Sequence, residues 1–438
     1  MEQPKVSVVL VNFRGVDDTL NAIKSIKETN YPKNLIEIVV VDNASGDDSV
    51  TKLKALKDEI KLVESEINLG FAGGVNLGVK NSEGIIVGLL NNDAICDANW
   101  ISTAVETLLE NEKNACVASK VLSIDGKEID FVDGSLTWYG MGYKREATKN
   151  SNEVIDFKKE VLFATGSAMF VKKDIFEQVG GFDERFFMFY EDVDFGWRLN
   201  LLGYKVIFNP DSIAYHKHHA SIEKFGQYYE NYLLEKNALM SLYKNYESAS
   251  LDQALPAAMA LMVRRSITRG ELNPEILDIT KSQKNENSEI SVKKDSLTGL
   301  LAIDSFIDHL PSLTKSRKEI QANRQRSDGE ILSLFRQALE PAYPWPRYLE
   351  GYQKIVDVFN IEKSFGKEKK RVLVVTGEPL SENLAGPAIR ALEISKFLVQ
   401  DFDVLLATTK GNELKHPVVS TISTRHRKLK ELVNWADI

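Results

Sequence analysis

The sequence predicts an α/β fold with a mainly parallel sheet, and three observations carry that reading. Short β-branched runs alternate with stretches of helical spacing through the N-terminal part. Aspartates stand directly after two of those runs. Over 438 residues, 43% hydrophobic and 27% charged is an ordinary globular balance.

Each element follows from its own pattern. "VSVVLVNF" is short and β-branched, so it reads as a buried strand, and "DDTLNAIKSIKET" follows at helical spacing. "IEIVVVD" is a second buried strand, and "ASGDDSVTKLKAL" opens a helix capped by Ser45 or Asp47. "IKLVES" is a third strand, "GGVNLGVKNS" a helix and "GIIVGLL" a fourth strand. Residues 226–285 read as helical. "KSQKNENSEISVKKDS" then reads as a linker, and a second helical stretch from Leu297 is expected to break at Pro311. "PAYPWPRY" is a further break. "RVLVVT", the helix "GPAIRALEISKFLV" and "DVLLATT" begin a new α/β unit. Only about 30 residues follow, so this unit is expected to stop mid-domain. The domains expected are 1–245, a helical extension and linker at 246–365, and 366–438.

The net charge of −8 gives no basic footprint for nucleic acid. Cys96 and Cys116 form no disulfide framework or zinc ribbon and fit a reducing compartment. No basic region precedes a long apolar stretch at the N-terminus, and no window reaches the roughly 18 apolar residues of a spanning helix. A cytoplasmic chain is expected, soluble or peripheral at the inner face of the plasma membrane. "LPAAMALMVRRSITRG" is read either as a peripheral membrane contact or as a packed helix with a basic end. A homo-oligomer is left open.

In a parallel sheet ligands sit beyond the carboxyl ends of the strands, so Asp42 and Asp93 can face one crevice. Asp42 either caps the next helix or accepts from a pyrimidine ring N–H, with Phe13 stacking on the base. "NLGFAGGVNLG" lacks the spacing of a dinucleotide or Walker loop. Its glycines either pack helix against strand or let the backbone approach a nucleotide. In "LNNDA", Asp93 carries the only full charge, which suits a divalent cation bridging phosphates, while Asn91 and Asn92 shape the loop. The alternative is a plain Asn/Asp turn.

"EDVDFGWRLNLLG" reads as a helix stopped at Gly203, with Glu191 and Asp192 at its N-terminus. Either they cap the helix, or an ionised aspartate among aromatics serves as a general base. "AYHKHHAS" holds three histidines with no cysteine partner for zinc. His216 with Asp93 and a diphosphate would suit Mn²⁺ or Mg²⁺.

Taken in order, "VSVVLVNF", "VVVDNASGDDS", "NLGFAGGVNLG", "LLNNDA", "GSAMFVKKDIFEQVGGFDERFFMFYEDVDFGWRL" and "AYHKHHAS" resemble the inverting glycosyltransferases of family 2, over roughly residues 5–245. The likeness is strongest to the rhamnosyltransferase-like branch. The resemblance implies a GT-A nucleotide-diphospho-sugar transferase fold. It implies a nucleotide site of Val11, Phe13, Asp42, Gly70, Gly73 and Asn92, and metal ligands Asp93 and His216. Asp192 would be the base and Glu191 its neighbour at the acceptor. Phe163, Gly166 and Ser167 would belong to the loop lining the acceptor pocket. The family's D-x-D element departs here, with Asn91 in place of its first acid.

The reaction implied is transfer of one sugar, from a dTDP- or UDP-sugar, to a glycan or lipid-linked glycan. L-Rhamnose from dTDP-rhamnose is the leading donor, and no Q-x-x-R-W of processive synthases is found. Rival readings are a nucleotidyltransferase and a silent nucleotide-sugar-binding scaffold. "RVLVVTGEPLSENLAGPAIRALEISKFL" resembles the opening of a family 4 GT-B glycosyltransferase. That likeness implies a partial Rossmann unit, inactive without the donor-binding half expected beyond Ile438.

Overall fold

The computed structural model describes residues 3–152, 154, 157–217, 226–273, 292–366, 369–399, 401–416 and 418–438. Its N-terminal half alternates β1 (Val6–Asn12), α1 (Val16–Lys27), β2 (Ile36–Asp42), α2 (Ser49–Lys54), β3 (Lys61–Glu64), α3 (Gly70–Lys80) and β4 (Ile86–Leu90). All five residues of β4 are buried, and in β1 all but Val11, as strands covered on both faces must be. These four strands are parallel, in the order β3-β2-β1-β4.

Beyond β4 the sheet is mixed. β5 (Ala94–Cys96), α4 (Trp100–Leu109), β6 (Asn114–Ser123), β7 (Ile129–Phe131), β8 (Asp133–Leu136), β9 (Gly142–Arg145), β10 (Lys159–Val161), β11 (Ala168–Lys172), α5 (Lys173–Gln178), α6 (Glu191–Leu201) and β12 (Lys205–His216) follow. β11 enters antiparallel between β4 and β6, and β12 runs parallel to β6. The expected parallel sheet is thus the first half of a larger mixed sheet, and the antiparallel β11 lies between that half and the half holding β6 and β12. β5 pairs antiparallel with the far end of β12, setting Ala94 opposite His216.

The helices α7 (Gln227–Asn245), α8 (Ser248–Arg269), α9 (Thr298–Ala322), α10 (Asp328–Leu332), α11 (Pro346–Val358) and α12 (Ile361–Phe365) share one apolar core with the sheet. The turn joining β8 to β9 plugs into them. Trp138 Nε1–H donates to the Tyr352 hydroxyl at 3.0 Å, and the Tyr139 hydroxyl donates to the Glu340 carbonyl at 3.1 Å.

α9 does not break at Pro311. The proline is on the exposed side of the helix, and Ile307, whose carbonyl loses its donor, is 54% exposed, so water can take that place. Of the three prolines in "PAYPWPRY", Pro346 is the first residue of α11, where no N–H is needed. Most of the expected linker lies outside the described residues.

The membrane alternative for 255–270 gives way to the packed helix. Ala257, Ala258, Leu261 and Met262 are buried, and Arg265 is bound to Glu235 at 2.6 and 2.7 Å. No helix among the described residues is long and apolar enough to cross a membrane. Finally, β13 (Arg371–Thr376), α13 (Gly386–Leu398), β14 (Asp403–Thr408), β15 (Ser420–Ser423) and α14 (His426–Trp435) build a separate three-stranded parallel sheet, with one small core of its own and a second that it shares with Phe157.

Candidate active site

The pairing of β5 with β12 brings Asp93 and His216 together, although 122 residues of chain separate them. His216 Nε2 lies 3.2 Å from Asp93 Oδ1, and the Asn91 side-chain amide is 3.3 Å from the same nitrogen. On the other side of the ring Nδ1 is 2.8 Å from Oδ2 of the fully buried Asp130. Asp130 in turn accepts from the Lys144 ammonium at 2.5 Å. Burial works against charging this histidine, but the Asp130 and Asp93 carboxylates outweigh it and raise its pKa to about 9. With the ring protonated, Nδ1–H donates to Asp130 and Nε2–H to Asp93.

Among the described residues no set of three or more His, Cys, Asp or Glu converges on one point. A pair of one imidazole nitrogen and one carboxylate oxygen, 3.2 Å apart, fits a hard cation that takes its other ligands from phosphate and water. His218 and His219 lie outside the described residues.

Around the end of β1 the polar groups organise one another. Asp42 is 2% exposed. Its Oδ2 accepts from Asn12 Nδ2 at 2.8 Å and from Ser45 Oγ at 2.7 Å, and its Oδ1 accepts from Ser45 N at 3.1 Å. Asp42 therefore closes the turn after β2 and does not cap α2. The N-cap of α2 is Asp48, not the expected Ser45 or Asp47, and its side chain makes no capping bond; Asp47, one residue earlier, accepts from Ser49 N at 2.9 Å. Phe13 and Val11 are half-buried at the same strand end, with the Arg14 guanidinium 5.1 Å from the Phe13 ring centre. Asn92 Nδ2 is 3.3 Å from the Gly15 carbonyl and the Thr19 hydroxyl, so it ties the loop to α1, while Asn91 is the asparagine beside His216.

The glycines of "NLGFAGGVNLG" answer to protein as well as to any ligand. Gly70 has φ +70°, and a Cβ there would lie 2.2 Å from the Phe187 carbonyl oxygen. A Cβ at Gly73 would meet Leu69 at 2.8 Å. Buried Asn43 holds the same turn, accepting from Leu69 N and donating to the Gly70 carbonyl, both at 2.9 Å.

Opposite this loop, the aromatic run before α6 is strained. Phe187, Phe189 and Tyr190 have φ of 64°, 67° and 71°, a region side-chain-bearing residues rarely enter. Asn237 of α7, fully buried, stabilises it: its Nδ2 is 2.8 Å from the Phe189 carbonyl, 2.9 Å from Met188 and 3.2 Å from Phe186.

That turn delivers Glu191 and Asp192 to the N-terminus of α6. Asp192 Oδ2 accepts from Gly166 N and Oδ1 from Val193 N, both at 2.8 Å. Burial raises the Asp192 pKa, and the Gly166 N–H and the Lys144 charge pull it back. Glu191 is 5% exposed, and its Oε2 has no hydrogen-bond partner among the described residues. Burial, then the Asp192 charge, push its pKa well above the carboxylate range. One neutral acid thus sits beside one that ionises more readily.

Asp194 points the other way, into a buried cluster with Arg198, Lys244 and Asn245. Gly166 and Ser167 join the two halves of the site, because the Ser167 carbonyl accepts from Asn91 N at 2.9 Å. Phe163 does not line a pocket. It is 2% exposed and wedged against Phe131, Gly134 and Gly196, supporting the loop from beneath.

Residues 7–180 match the family model described as "Glycosyl transferase family 2". "Low-salt glycan biosynthesis hexosyltransferase Agl10" from Haloferax volcanii is 24% identical over 267 residues, 59% of this chain and 81% of that protein. "N-acetylglucosaminyl-diphospho-decaprenol L-rhamnosyltransferase" from Mycobacterium tuberculosis is 42% identical over 65 residues, 15% of this chain and 21% of that one. Among solved structures, GalNAc-T7 with UDP, GalNAc and Mn2+ aligns at 16% identity and a TM-score of 0.49, over 59% of this chain and 51% of that one. The chain therefore carries a family 2 glycosyltransferase domain, and the protein is a glycosyltransferase.

Proposed function

We propose that this family 2 glycosyltransferase moves a single sugar from a pyrimidine nucleoside diphosphate to a hydroxyl of a growing glycan, with inversion at the anomeric carbon. The observation that carries the reading is the Gly166–Ser167 junction. It ties Asp192 on one side and the Asn91–Asp93 loop on the other to adjacent residues of one chain. A base for the acceptor and a pole for the leaving diphosphate therefore flank one place.

Asp192 removes the acceptor hydroxyl proton as that oxygen attacks the anomeric carbon and the bond to diphosphate breaks on the opposite face. Glu191, uncharged, adds no second negative charge there. The strand end at Val11, Phe13 and Asp42, with Gly70 and Gly73 across it, receives the nucleotide. Oδ2 of Asp42 has both lone pairs engaged, so a base N–H would use Oδ1. Asp93 and His216 would hold Mn²⁺ or Mg²⁺, which when bound offsets charge on the diphosphate.

L-Rhamnose from dTDP-rhamnose is the donor favoured by the short, 42%-identical stretch shared with the rhamnosyltransferase. A UDP-hexose is the second reading, supported by the longer match to a hexosyltransferase. The 366–438 unit is assigned no catalytic part, and its likeness to the opening of a family 4 GT-B enzyme belongs to this proposal. Calorimetric titration of dTDP-rhamnose, UDP-glucose and UDP-galactose, with and without Mn²⁺, tests the reading. Metal-dependent binding of one donor is expected. Failure of all three in both conditions rejects the donor site and leaves a scaffold.

A further inference from the structure

Asp130 has no part in the chemistry above, yet it is built into the site. It is 0% exposed in its side chain, on β7 between Ile129 and Phe131. Strand alternation sends its carboxylate to the face opposite those two apolar side chains. A buried carboxylate is costly unless it is paired and hydrogen-bonded. This one is paired twice, with Oδ2 at 2.8 Å from His216 Nδ1 and Oδ1 at 2.5 Å from Lys144 Nζ.

An imidazole has two nitrogens, and only one can face Asp93. Which one carries the lone pair for a cation is decided by the hydrogen bond at the other. We infer that Asp130 is a positioning residue for His216: it takes the Nδ1 proton, so the ring is held with Nε2 turned to Asp93. Lys144, on β9 opposite Gly134, holds that carboxylate in place from its other oxygen. The inference rests on the reading of Asp93 and His216 as the cation pair, and it goes beyond it by assigning the residue that orients the pair. Lys144 also acts on Asp192, so the same ammonium borders both halves of the site.

The test uses the full chain and two readouts. Mn²⁺ affinity is followed by electron paramagnetic resonance with UDP or dTDP present, for the wild type, Asp130→Asn and Asp130→Ala. The His216 ring Nδ1 proton is followed by NMR in the metal-free protein, identified by its loss in His216→Gln. The expected result is Mn²⁺ binding weakened about 10- to 100-fold in both Asp130 variants, with an unchanged circular dichroism spectrum. A slowly exchanging Nδ1 proton is expected in the wild type and absent from both variants.

Unchanged Mn²⁺ affinity in a folded Asp130→Asn overturns the inference, as does a wild type without the protected ring proton. If Asp130→Ala does not fold, the near-isosteric Asp130→Asn decides. A wild type that keeps the ring proton but binds no Mn²⁺ with either nucleotide rejects the cation pair itself, and the positioning role falls with it.

Discussion

The backbone N–H of Gly166 donates to Oδ2 of Asp192 at 2.8 Å, and that bond favours the charged carboxylate. A Cβ at residue 166 would stand 3.0 Å from the Phe71 ring and 3.7 Å from Oδ2. Gly166→Ala should therefore push the loop away and lengthen the bond. Losing a bond to the charged form raises the pKa, and Asp192 must be ionised to act. The acid limb of the kcat/KM profile should move to higher pH, with activity recovering on the alkaline side. A profile superimposable on the wild type would show that this amide does not set the base.

Asp192→Asn keeps the shape of the side chain and removes its basicity. Turnover should fall by about 10²–10⁴-fold, the usual share of a general base. Donor affinity measured by calorimetry should stay within about twofold. Turnover near that of the wild type would place the base elsewhere.

Asn237→Ala should release the strained turn. The carbonyls of Phe186, Met188 and Phe189 would lose their shared donor, and a buried group left unpaired costs about 1–3 kcal/mol. Denaturant unfolding should show a loss of at least about 2 kcal/mol, and kcat should fall together with stability because the turn leads directly into Glu191 and Asp192. A stable, inactive variant or a stable, active one would each contradict this coupling.

Acid should unfold the protein through the cluster behind α6. Burial acts to raise the Asp183 and Asp194 pKa values. The cations of Lys244 with Arg185, and of Lys244 with Arg198, prevail and lower both. A carboxylate with a depressed folded pKa contributes its full stability above its unfolded pKa, near 3.9, and loses it as pH falls through the folded value. By urea denaturation, the stability the wild type holds over Asp194→Asn should be steady from neutrality to about pH 5 and shrink below about pH 4. Asp194→Asn should be less stable at pH 7 and show a shallower decline.

The alternation from β1 to β4 was legible because it is written in local periodicity, and so was α6, from its acids at the start to Gly203 at its end. Asp93 and His216 could be singled out by residue type, but their contact depends on β5 pairing with β12 across the sheet, which no window of sequence contains. Asp130 carried only a faint sign, an acid between two apolar residues of a short strand in "EIDFVDG". Asn12, Asn43 and Asn237 gave none, since a buried asparagine looks like a loop residue until its partners are in place. The positive φ of Phe187, Phe189 and Tyr190 is imposed by α7, so the aromatic letters alone could not reveal it. Phe163 misled for the converse reason: its neighbours in sequence face the site while its own ring faces the core.

The turn between β8 and β9 fixes how short this protein can be made. Trp138 and Tyr139 are closed off by Ala338, Glu340, Tyr352 and Phe365, all within the stretch expected to be an extension and linker. A chain cut after residue 245 would present those rings to water and would remove Arg265, the cation that neutralises Glu235 inside α7. The transferase domain matched in sequence is therefore smaller than the folding unit. A truncation that keeps residues 3–366 retains all of those contacts and uncovers one large ring, Phe157, which packs on Trp435 of α14.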